Sequence, residues 1–126
     1  MMSAVEKWAR MLWRPDMATY LVGLAIIIGS LMPAEEARAM PGNDLLQHIG
    51  VYALLTFFAL SSWGGTALRA ALVMMLAFCF GGLLEFIQPF VGRAFDLSDL
   101  AANSAGIIAG GICILCARLW WGQSRW

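Results

Sequence analysis

Residues 85–103 read EFIQPFVGRAFDLSDLAAN. An apolar run that begins near Ala67 ends in this stretch. Pro89 stops it, because proline has no N–H to give and its ring crowds the preceding turn. A second apolar run opens near Leu100, behind Asp96 and Asp99. Both acids suit a helix start, Asp96 as a cap and Asp99 beside the positive end of the dipole. The stretch therefore predicts two antiparallel helices joined by a short polar turn. It also carries Glu85, Gln88, Arg93 and Asn103, which are unexpected amid such oil.

The rest of the chain repeats the pattern. Of 126 residues, 61% are hydrophobic and 13% charged, and the mean hydropathy is +0.75. Soluble domains lie nearer half apolar and a quarter charged. Four apolar segments emerge, at about 17–32, 45–63, 67–88 and 100–121, each near the roughly 20 residues that cross a bilayer core. No period-2 alternation supports a barrel, so the backbone must be satisfied in helices. The expected fold is all-α, a single four-helix transmembrane bundle over residues 1–126. Ser3 to Trp13 reads as a short N-terminal interfacial helix, with Trp8, Met11 and Leu12 on its apolar side. The first segment reads as a retained helix, since its apolar run is long for a signal peptide and Pro33 disfavours cleavage before Ala34.

Charge gives the orientation. Lys7, Arg10, Arg14, Arg69, Arg118 and Arg125 lie on one side, and Arg38 and Arg93 on the other. The side richer in Lys and Arg is cytoplasmic. Both termini are thus expected in the cytoplasm, with connections 34–44 and 89–98 outside. The formal net charge of +0 and the absence of a basic run argue against nucleic acid as a partner. Lipid is the expected surrounding, and self-association into a homo-oligomer is compatible with it. Cys79, Cys113 and Cys116 lie within apolar runs and read as small helix residues, not as a metal or redox motif.

Nearly all the unusual polar groups fall in the outer layer. Asp44, His48 and Tyr52 follow one another at i, i+4 and i+8, one stripe of a helix. Glu85 and Gln88 are separated by one turn. Asp99, Asn103, Gly106 and Gly110 form another stripe, polar outside and glycine inside. Gly106-x-x-x-Gly110 admits another helix at close range. Hairpin pairing of the last two helices is expected to bring Glu85 and Gln88 near Asp99 and Asn103, with His48 and Tyr52 as a third wall. Glu85 stands out, because an ionisable group inside a membrane segment is costly and marks function by default. Simpler readings stand beside these: Asp96 as a cap, Arg93 as the partner of an acid, His48 as a packing residue, Glu35 and Glu36 as solvated loop charge. No cofactor is evident. The acidic character of the cluster admits a divalent cation, an amine or a proton.

The series Asp44-x3-His48-x3-Tyr52, then Glu85-x2-Gln88-x4-Arg93-x2-Asp96-x2-Asp99-x3-Asn103-x2-Gly106-x3-Gly110, resembles the VanZ-like family of small integral membrane proteins. The likeness runs from the second segment to the end of the fourth. It departs at Leu45, where the family often has lysine, and at Ile49, where it often has an aromatic residue. The resemblance implies a bundle of transmembrane helices in a bacterial plasma membrane. It also implies a link to the cell envelope, the family being named for glycopeptide (teicoplanin) resistance. Two functions follow as expectations. The first is a binding or accessory role toward an envelope component. The second is an enzyme acting on a lipid-linked envelope substrate by carboxylate and histidine acid–base chemistry, with Glu85 or Asp99 as base and Arg93 steadying negative charge.

Overall fold

A computed structural model describes Ser3, Glu6 and residues 14–39, 42 and 44–120. The expected interfacial helix falls outside these, except that Ser3 and Glu6 exchange side-chain-to-backbone hydrogen bonds of 3.2 and 2.9 Å. That reciprocal pair is a capping box. The described residues form helices and turns: α1 (Pro15–Ser30), α2 (Ala34–Ala39), α3 (Asp44–Trp63), α4 (Ala67–Ile87), a 3-10 turn (Gln88–Val91) and α5 (Leu97–Trp120).

Local chemistry accounts for the boundaries. Pro15 occupies the first turn of α1, where its missing N–H costs nothing. Thr66 caps α4, its hydroxyl accepting from the Arg69 N–H at 3.2 Å. After α4 the chain tightens into the 3-10 turn at Pro89 and stops at Gly92. That glycine has φ +79°, a conformation other residues rarely adopt. The Arg93 N–H then returns to the Gln88 carbonyl at 3.1 Å. Helix α5 starts at Leu97, three residues before the apolar run, because Asp96 caps it. Asp96 Oδ1 accepts from the Ser98 N–H at 2.7 Å and the Ser98 hydroxyl at 2.6 Å.

Helices α3, α4 and α5 are long and apolar enough to cross a membrane. Helix α1 has 16 residues, about 24 Å at 1.5 Å per residue. It ends two residues earlier than its apolar run suggests. The connection expected as a loop from Ala34 contains α2. The exterior of the long helices is oil: Leu54, Leu72, Leu76, Leu83, Ile108 and Trp120 are exposed. Cys79, Cys113 and Cys116 are exposed too, so they face outward and not into the core. A surface of this kind and extent is the contact surface of a multi-pass membrane protein.

Inside, Ile26, Tyr52, Leu55, Ala77, Leu84 and Ile107 make the core. The chief partner of α5 is α3, although α4 precedes it in the chain. Glycine is the reason. A Cβ added at Gly106 would fall on the Ile49 carbonyl oxygen, and one at Gly110 on the Ala53 carbonyl oxygen. The two backbones touch at both positions, one helical turn apart, as small residues allow between membrane helices.

Gly106→Ala and Gly110→Ala are therefore expected to lower stability by about 1–3 kcal/mol each, the usual cost of overpacking. Gly82→Ala, where an added Cβ meets nothing within 4 Å, should leave stability unchanged or raise it by up to about 1 kcal/mol. Unfolding in mixed micelles by added SDS reads both. Equal behaviour of the three variants would mean that the glycines do not set the α3–α5 contact.

Candidate functional site

The α3–α5 contact sets what lies one and two turns beyond it. Above the Gly106–Ile49 contact, Asn103 meets His48, and Asp99 lies a turn further out. His48 Nδ1 and Asn103 Oδ1 are 2.8 Å apart. An amide oxygen only accepts, so Nδ1 carries the proton. The other nitrogen, Nε2, lies 3.6 Å from an Asp99 oxygen and 3.8 Å from an Asp44 oxygen. One donor atom from each of Asp44, His48 and Asp99 falls within 4.8 Å of the others, a grouping able to hold a metal ion. The Asp44 side chain is 66% exposed, whereas those of His48 and Asp99 are 11% and 9% exposed.

These three residues line a cavity of about 540 Å³ at the end of the bundle. Its other walls come from the C-terminal part of α1 (Ala25, Ile26, Gly29, Ser30), from α2 (Ala34, Ala37, Arg38) and from the turn before α5 (Arg93, Ala94, Asp96). The lining thus combines carboxylates and an imidazole with two arginines, Arg38 and Arg93. The volume suits a headgroup-sized ligand.

Arg93 does not take one of the acids as a hydrogen-bonded partner. Its Nη1 donates to the Gly29 and Ser30 carbonyls at 3.2 and 3.4 Å. These are carbonyls of the last turn of α1, where the helix leaves acceptors unpaired and the dipole favours a cation. The expectation of an Arg93–carboxylate pair could not foresee this, because nothing in the sequence places α1 against residue 93.

Glu85 and Gln88 are buried to 1% and 0% exposure. Gln88 Nε2 donates to Glu85 Oε1 at 3.4 Å, while Glu85 Oε2 and Gln88 Oε1 have no hydrogen-bond partner. Neither residue lines the cavity. Tyr52 is equally buried. A Cβ at Gly81 would stand 3.0 Å from the Tyr52 hydroxyl and 3.1 Å from Asn103 Nδ2. Gly81 thus clears room for both groups on the side of Asn103 away from His48. Nine residues were singled out in the sequence. Asp44, His48, Tyr52, Arg93, Asp96 and Asp99 come to the cavity wall, Asn103 stands directly behind His48, and Glu85 and Gln88 form a separate buried layer. Missed were Arg38, which the sequence offered only as a loop charge, and the C-terminal turn of α1.

No family model, curated protein or solved structure matches this chain. The chemistry of the site therefore rests on its own residues.

Asp96 is exposed, and its carboxyl lies below the ordinary value. The Ser98 hydroxyl is the main cause and the Ser98 N–H the next. A lowered value in the fold means that the cap contributes while Asp96 is ionised and is lost as pH falls below about 4, the ordinary carboxylate range. The start of α5 should then fray in acid. Amide exchange of the first turn, divided by the intrinsic exchange rate at each pH and followed from pH 6 down to pH 3, should rise in the wild type. In Asp96→Asn, which still accepts a hydrogen bond but does not titrate, the rise should be smaller. An identical rise in both would place the acid sensitivity elsewhere.

Proposed function

We propose that this chain is a VanZ-like protein of the bacterial plasma membrane. It spans the bilayer four times, with both termini in the cytoplasm. Its outward cavity binds a polar envelope component in an accessory role of the glycopeptide-resistance type. The observation that carries the reading is the cavity itself. Asp44 and His48 from α3, Asp99 from α5 and Arg93 from the intervening turn converge on one headgroup-sized space at one end of an otherwise apolar bundle. Supporting it are the motif series from Asp44 to Gly110 and the six-to-two bias of Lys and Arg toward the opposite side. Helix α1 is shorter than the other three, and a bilayer accommodates a short span by thinning and by anchoring of its flanks. Arg14 and Asp16, paired at 2.9 Å at its start, supply such a polar flank.

The enzyme reading has one observation in its favour, an imidazole set between two carboxylates at the cavity wall. In it His48 and Asp99 would carry the acid–base work on a lipid-linked envelope substrate. Glu85 would not act as base, since it lies behind the wall.

Expression of the wild-type chain in a susceptible bacterium is expected to raise the teicoplanin concentration that stops growth. Asp99→Asn and Arg93→Gln, at matched membrane levels, should return it to that of the empty vector. No change with the wild type would sink the resistance-type role. Loss of all turnover of lipid-linked precursors in His48→Gln membranes, where wild-type membranes show it, would favour the enzyme.

A further inference from the structure

Resting on the reading of the outer cavity as a binding site, we infer that Asp44, His48 and Asp99 hold a divalent first-row transition ion, with Asn103 as the positioning residue for the imidazole. The ion is what the cavity uses to receive its polar ligand.

Two observations converge on it. The first is orientation. The Asn103 Oδ1 on His48 Nδ1 turns the other ring nitrogen, Nε2, toward two carboxylates. Metal-bound histidines are held in just this way, the far ring nitrogen donating to an oxygen acceptor.

The second is distance. Nε2 stands 3.6 and 3.8 Å from its two carboxylate neighbours. Hydrogen bonds between such groups would be about 2.7–2.9 Å. Ligands at roughly 2.1 Å around one tetrahedral ion stand about 3.4 Å from each other. The observed spacing is near the second value and too long for the first.

One nitrogen and two carboxylates favour zinc or manganese over calcium or magnesium, which prefer all-oxygen sites. Three protein ligands leave a coordination position open, as in zinc sites that handle exogenous ligands. That position would open to the cavity, which Arg38 and Arg93 also line. An oxyanion or carboxylate of an envelope component suits an ion accompanied by those arginines.

The test uses the full chain in lipid nanodiscs, stripped with EDTA and titrated with Zn2+ by calorimetry. Co2+ provides a spectroscopic probe. Wild type is expected to bind one Zn2+ per chain, to bind Mg2+ and Ca2+ more weakly, and to show the visible ligand-field bands of Co2+. His48→Ala and Asp99→Asn should lose both signals. Asp44→Asn alters a largely exposed group and so guards against a mere folding defect; it should weaken binding with an unchanged melting curve. Asn103→Ala should weaken Zn2+ by about 10–100-fold, and Asn103→Asp, which keeps an acceptor for Nδ1–H, should restore much of it. Absence of Zn2+ binding in the wild type, or equal binding in His48→Ala, overturns the inference. If it is overturned while Asp99→Asn and Arg93→Gln still abolish teicoplanin tolerance, the cavity binds its ligand without an ion. If Zn2+ binds as expected and tolerance is unaffected, the ion site stands and the resistance-type role falls.

Discussion

The contact of Gly106 and Gly110 with the carbonyls of Ile49 and Ala53 governs the rest of the molecule. Two helices whose backbones touch have little freedom to slide, because a shift of one turn, about 5.4 Å, would drive side chains into the space the glycines keep clear. The register so fixed runs outward in steps. Gly110 sits at Ala53 and Gly106 at Ile49. Asn103 then faces His48, and Asp99 comes within 3.6 Å of its ring. The polar group at the cavity is thus an extension of an apolar packing decision made two turns deeper. A bilayer strengthens that logic. Without water to drive apolar association, close van der Waals contact is a main source of helix–helix affinity.

Two arginines perform parallel structural work at opposite ends. Arg93 donates to the Gly29 and Ser30 carbonyls at the end of α1, and Arg118 to the Leu60 and Gly64 carbonyls at the end of α3. Arg93 meets carbonyls that a helix C-terminus leaves unpaired, and Arg118 adds a second donor to the Leu60 carbonyl, which already accepts from the Gly64 N–H at 3.0 Å; each places a cation where the dipole is negative. Arg93 has a further consequence. By holding the end of α1 beside the turn before α5, it brings two walls of the cavity together. The same residue thus shapes the site and contributes charge to it.

Glu85 shows how burial and function part company. The cost of an acid within an apolar helix singles it out from sequence, yet it lies behind the cavity wall and shares a long hydrogen bond with Gln88. It does not line the cavity and so makes no direct contact with a ligand there. Asp96, by contrast, serves as the helix cap its position suggests while also bordering the cavity.

The sequence by itself determined the class of structure and most of the helices. Apolar runs of bilayer length, broken by Pro33, Gly64-Gly65 and Pro89, need no long-range information to read, because backbone hydrogen bonding in oil leaves the helix as the local solution. It also determined which stripes are polar, since helical periodicity assigns Asp44, His48 and Tyr52 to one face and Asp99, Asn103 and Gly106 to another. Boundaries were less legible. Helix α5 begins earlier than its apolar run because a cap extends it, and α1 ends earlier than its own. Only the tertiary structure decided who meets whom. That α5 packs chiefly on α3 and not on its hairpin partner, that Asn103 orients His48, and that Arg93 takes the carbonyls of α1 all depend on helix register and rotation. Those follow from steric fit between residues some 55 to 64 positions apart, a fit that no local pattern encodes.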